Sequence, residues 1–200
     1  VEKKTRKKPE CLSQIIVGEP IALNSSCDDE LCGETIESQN SGKFLVLDVF
    51  SGGAKNNYLK MAKVQFLDTH YCCVITKENA KNGKVKDPYS RRICNIGYEG
   101  NVSSVKNYTP NEIASLRSRW TAMIKRCYDS KNNRFDTYGA KGIFVDEKWH
   151  SFENYLRDIR RLPQFVLARE AGFKGYHLDK DYYDSNCYSR DTCVWLEVKD

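Results

Sequence analysis

The chain has 200 residues, 40% of them apolar, with 12 Tyr, 8 Phe and 3 Trp. That is enough for one or two domains with real cores, and it excludes a wholly disordered chain. No apolar run approaches the roughly 18 residues of a membrane span, and the basic start has no apolar stretch behind it, so neither a membrane helix nor a signal peptide is expected. A net charge of +5, from 32 basic and 27 acidic side chains, permits nucleic-acid binding without demanding it.

Nine cysteines is an odd number for an oxidised framework, so mostly free thiols and a reducing compartment are expected. Cys27 and Cys32 are spaced Cys-x4-Cys, and Cys187 and Cys193 are spaced Cys-x5-Cys. Neither is the tight Cys-x2-Cys pair of a zinc site, and zinc is not the expected ion.

The basic arm holds Lys3, Lys4, Arg6, Lys7 and Lys8. It is either a solubilising tail or a phosphate-binding one. Residues 1–41 otherwise read as an irregular lead-in, in which Ile15-Ile16-Val17 and Ile21-Ala22-Leu23 form short strands or a lid on the next domain. Residues 42–100 read as an antiparallel β domain. Phe44 to Phe50, Ala62 to Phe66 and Tyr71 to Thr76 are strand runs, and Gly83 to Pro88 a short fourth. Lys63, Gln65, Thr76, Lys77, Lys84 and Lys86 are expected at exposed positions. Such a polar, basic face can lie on DNA, and a merely solvated face has the same pattern.

Residues 101–200 read as helical with a closing hairpin. Thr109-Pro110-Asn111-Glu112 is a helix start, with Thr109 as N-cap, Pro110 in the first turn and Glu112 reaching back in a capping box. Ile113, Leu116, Trp120, Met123, Ile124 and Cys127 follow at helical spacing as a core stripe. Arg117, Arg119, Lys125 and Arg126 fall largely off it, as a solvated face or as phosphate contacts. Ile143-Phe144-Val145 is a short strand, and a second helix covers about 151 to 162, stopped by Pro163. From Gly172 to Trp195, two apolar runs around a polar turn suggest a β-hairpin. It carries His177 two residues before Asp179, one way to place a general base beside a metal ligand. The fold class expected is therefore α+β: a small N-terminal antiparallel sheet, two helices and a C-terminal hairpin.

From Trp120 onward the order of residues resembles a family of phage-associated HNH endonuclease-like proteins. The resemblance is carried by Trp120, Met123, Arg126-Cys127-Tyr128, Tyr138-Gly139, Val145, Trp149, Phe152, Leu178-Asp179-Lys180-Asp181, Tyr188-Ser189, Thr192-Cys193 and Trp195. Upstream, Val64 to Thr69, Gly83 to Pro88 and Ile96 to Gly100 are similar too, so it spans about residues 42 to 195. It implies a partial ββα-metal motif in which His177 is the general base and Asp179, with Asp181 as a substitute, holds Mg²⁺ or another divalent cation. It also implies a viral protein that binds double-stranded DNA and nicks it, in an infected cell's cytoplasm or in the virion. The chain departs from the pattern at Thr192, where the family has Asn. Residues 196–200 are too few for the helix that closes a ββα motif. The alternative is an inactive HNH-like scaffold that binds a phage or host protein.

Overall fold

The computed structural model describes residues 15–52 and 59–198. The basic arm, with Lys3, Lys4, Arg6, Lys7 and Lys8, lies outside them. The chain divides into two compact units, one running from 11 to 90 and one comprising 91 to 200. The architecture is α+β, as expected.

In the first unit, β1 (Thr35–Ser38), β2 (Gly42–Ser51), β3 (Lys60–Phe66) and β4 (Cys72–Thr76) form one antiparallel sheet in sequential order. Alternation along β3 sends Ala62, Val64 and Phe66 into the core with Phe44, Val46 and Leu31. β1 comes from the stretch expected to be irregular. It offers the core only Ile36, which leaves no alternating pattern to read.

The strand expected over Gly83 to Pro88 is absent. Thr76 ends β4 and caps a one-turn helix, α1 (Lys77–Lys81), by accepting from the amide of Asn79. Gly83 then turns in the left-handed region (φ 63°), and a Cβ there would sit 2.4 Å from the carbonyl oxygen of Glu37. Val85 is buried through this turn, not through a ladder, and its carbonyl accepts from Ser38 Oγ.

Gln65 is also not exposed. Its Nε2 donates to the carbonyls of Glu19 (2.8 Å) and His70 (2.9 Å), and its Oε1 accepts from the amide of Ile21 (2.9 Å). The lead-in around 17–21 therefore lies over the second face of β3, as a lid and not as strands. Lys77, expected on an open basic face, is paired with Asp29 at 2.8 Å.

In the second unit, the long helix α2 (Pro110–Tyr128) begins with the expected capping box, Thr109 and Glu112 each bonding the other's backbone amide. Its buried stripe is Leu116, Trp120, Met123, Ile124 and Cys127. Trp120 is fully buried and donates to the carbonyl of Trp149 at 2.7 Å, so it is packing and not a stacking platform. After β5 (Phe144–Val145), α3 (Phe152–Ile159) starts on an N-cap, Ser151, and buries Phe152, Tyr155, Leu156 and Ile159. The segment after Pro163 is a short helix, α4 (Phe165–Glu170).

β6 (Tyr176–Asp179) pairs antiparallel with β8 (Val194–Glu197), with Asp179 opposite Val194. The connection is not a tight hairpin. It detours through β7 (Cys187–Tyr188), which pairs in parallel with β5. Residues 180–193 thereby fold back beside Tyr138 and Arg126 instead of making a turn.

Candidate functional site: a cationic cleft beside His177 and Asp179

On β6, His177 and Asp179 are two residues apart and share one face of the strand. His177 Nε2 lies 3.3 Å from Asp179 Oδ2, with the imidazole about half exposed. The sequence reading thus brings together the pair it singled out. Asp179 Oδ1 is otherwise engaged, accepting from the amides of Asp181 (2.7 Å) and Tyr182 (2.9 Å). That carboxylate fixes the turn at the end of β6.

The pair opens on a cleft of about 490 Å³. Its floor is one stripe of α2, namely Arg119, Ala122, Met123 and Arg126, at the i, i+3, i+4, i+7 spacing of a helix face. Arg134, Tyr138 and Tyr188 close the far side, and Lys180 and Asp181 continue from β6. Four fixed cations, Arg119, Arg126, Arg134 and Lys180, face two carboxylates, Asp179 and Asp181, so the cleft is net positive. A second hollow of about 420 Å³ shares Arg134, Tyr138, Lys180 and Asp181 with it and adds Lys141 and Asn186. The two make one groove.

The cations are held in different ways. The guanidinium of Arg126 lies between two rings, 4.8 Å from the centre of Tyr138 and 4.9 Å from that of Tyr188. Among the described residues it has no carboxylate partner, and its Nε is buried without an acceptor. Ring faces hold the charge without neutralising it, each contact worth about 0.5–2 kcal/mol. Lys180 is 2% exposed; its ammonium bonds Asp181 Oδ1 and lies 5.7 Å over the Tyr188 ring. Arg134 is exposed. Arg119 donates to the carbonyls of Tyr176 (3.0 Å) and Phe173, bracing the entry to β6 against α2.

The other residues expected on DNA are elsewhere. Arg117 is paired with Glu99 at 3.0 Å and stacked 4.9 Å over Phe152, outside the cleft. Lys125 is exposed but does not line it. Arg134 was not singled out from sequence, and Lys180, Tyr138 and Tyr188 entered only through the resemblance, with no role at the site.

The divalent cation implied by the HNH-like resemblance does not fit the donors present. Asp179 has one carboxylate oxygen free of backbone bonds, and that oxygen faces His177. Asp181 is tied to Lys180. Thr192 accepts from the amide of Ser189 (3.1 Å) and donates to the carbonyl of Cys187 (2.6 Å), so its hydroxyl is spent within the loop. Among the described residues, the one trio with metal-ligand geometry is in the first unit: Cys27, Cys32 and Asp48, with donor atoms within 4.8 Å of one another. Cys27 and Cys32 are joined as a disulfide, an exception to the free thiols expected, and offer no thiolate while oxidised. Cys72, Cys73, Cys94, Cys127 and Cys193 are free thiols. Burial pushes the thiols of Cys127 and Cys193 up to about 12, which keeps them protonated and inert.

No family model, no curated protein and no solved structure matches this chain. The HNH-like resemblance stands on the residues quoted for it.

Proposed function

We propose that the unit comprising 91–198 is a DNA-binding, HNH-like module whose groove takes the phosphodiester backbone. The observation that carries this reading is the cluster of Arg126, Arg134 and Lys180 around one cleft, with Arg126 held between aromatic faces and, among the described residues, without a carboxylate partner. Guanidinium groups are suited to phosphate because their planar fork matches its oxygens. In this reading the protein is phage-associated and works on DNA in the infected cell.

Binding of labelled duplex DNA across a salt series tests it. Affinity falls steeply with salt as counterions are released, and Arg134→Gln, at an exposed position, lowers the slope by about 1. Binding indifferent to salt, or none, refutes the reading and leaves a protein as the occupant of the groove.

A second reading, a nicking endonuclease, is favoured by the 3.3 Å contact between His177 and Asp179 on the cleft wall. There His177 would draw a proton from water while Asp179 orients its ring. Supercoiled plasmid incubated with Mg²⁺ or Mn²⁺, and with EDTA, decides it. Nicking that is lost in His177→Ala establishes the enzyme, and the EDTA arm shows whether a cation takes part beyond the donors present. If parent and variant behave alike, the scaffold binds without cutting.

A further inference from the structure

Next to the groove the chain carries two aromatic side chains that the core does not use. Tyr182 and Tyr183 follow directly on Asp181, which lines both hollows. They are 62% and 54% exposed, among the most exposed large side chains described. Their rings meet edge to face, with centroids 4.9 Å apart and planes at 87°. The backbone beneath them is held at both ends. The amide of Tyr182 donates to Asp179 Oδ1 at 2.9 Å, and Asp184 closes the turn in the left-handed region at φ 51°. Left-handed backbone is costly for a residue with a side chain and persists where surrounding bonds enforce it. The amide of Asp184 supplies one such bond, to the carbonyl of Asp181 at 2.9 Å.

An exposed tyrosine pair beside a cationic groove is the pairing of chemistries that single-stranded nucleic acid requires. Basic side chains follow the phosphates, and aromatic faces take unpaired bases. A duplex rewards only the first of these, because its base faces are already stacked on one another. Arg126, Arg134 and Lys141 supply cations along the two contiguous hollows, more than one phosphate needs.

The geometry points to single-stranded DNA as the ligand of this groove, with Tyr182 and Tyr183 as a stacking platform for unpaired bases at its edge. This inference rests on the DNA-binding reading and specifies the form of DNA.

The test is fluorescence anisotropy with a short labelled oligodeoxythymidylate and with a duplex of equal length, on the intact chain. The single strand binds more tightly than the duplex. Replacing both tyrosines, Tyr182→Ala with Tyr183→Ala, weakens single-strand binding about tenfold and leaves duplex binding within about twofold. Tyr182→Phe with Tyr183→Phe keeps parental affinity, because the rings and not the hydroxyls do the stacking. Tryptophan fluorescence of each variant verifies the fold. If the duplex binds as tightly as the single strand, or if the alanine pair leaves single-strand binding unchanged, the platform is refuted while the DNA-binding reading survives. If neither oligonucleotide binds, both fail together.

Discussion

Gly139→Ala is a demanding test of how the cleft is built. Gly139 has no left-handed backbone to explain its identity. Its constraint is space. A Cβ there would lie 2.2 Å from the carbonyl oxygen of Cys127, in the last turn of α2, and 2.4 Å from the nearest ring carbon of Phe135. Neither obstacle is the yielding end of a flexible side chain, so the loop must shift by about 1 Å to regain van der Waals distance. Forcing one extra methyl into such a site costs about 1–3 kcal/mol, and the rigidity of both neighbours puts this case toward the upper end. Tyr138, the adjacent residue, carries one of the two rings that hold Arg126, so the same shift loosens the cleft. All three tryptophans, Trp120, Trp149 and Trp195, lie in the unit comprising 91–198 and are essentially fully buried, so their fluorescence follows the melting of that unit alone. The expected result is a fall in Tm of about 10 °C together with weaker DNA binding. The internal control is Gly142→Ala. There φ is 80° and nothing lies within 4 Å, so only left-handed strain of about 1 kcal/mol applies. A Gly139→Ala variant as stable as the parent, or less affected than Gly142→Ala, would falsify the argument from close approach.

Glu112→Ala removes the reciprocal half of the capping box, where Thr109 N donates to Oε2 at 2.7 Å, and the 2.6 Å pair with Arg169. A loss of about 1 kcal/mol is expected in the same fluorescence melt. Acid should act in two stages. His150 is buried, and burial holds its pKa below the usual 6.5, so the fold favours the neutral ring. The unfolded chain then binds the proton first, and stability declines as pH falls below about 6.5. His150→Gln should flatten that limb of the Tm profile, and a parental profile without the decline would count against the buried neutral ring. Glu112, held at about 2 chiefly by its bond to Arg169, contributes stability above its usual 4.5 that disappears as pH falls from there toward about 2. This lower stage should be missing in Glu112→Gln. Alkylation of the denatured chain without reductant should leave Cys27 and Cys32 unlabelled, with both labelled after reduction. Labelling of either before reduction would rule out the disulfide.

What could be read from sequence was whatever local chemistry decides. α2 was legible because Thr109, Pro110 and Glu112 settle its start within four residues and its core stripe runs at helical spacing from Leu116 to Cys127. β2, β3 and β4 were legible from their apolar, β-branched and aromatic runs. The strand expected at Gly83 to Pro88 failed because Val85 owes its burial to a turn packed beside β1, an arrangement no local pattern encodes. At the site, His177 and Asp179 were legible because strand geometry alone puts residues i and i+2 on one face. Arg134, Tyr138 and Tyr188 were not, since they come from separate loops and strands that meet only in the folded unit. Arg117 and Arg119 show the opposite error. Helical periodicity identified the face they occupy but could not reveal that Glu99 and two carbonyls already engage them.

The lid on β3 has a consequence for how the first unit opens. Its attachment depends on a handful of hydrogen bonds, to Gln65, Thr69 and His70, and on few apolar groups. Gln65 makes two of the bonds that hold it, while Ile16, Val17, Ile21 and Leu23 remain 38–50% exposed. Little hydrophobic area is lost when it lifts, and water replaces the bonds to Gln65. The sheet core beneath, centred on Phe44, Val64 and Phe66, does not depend on it. The two layers therefore belong to different levels of cooperativity. Amides that hold the lid, such as Val17 and Ile21, exchange with solvent through a shallow local opening, whereas those of β2 and β3 exchange only when the whole unit unfolds.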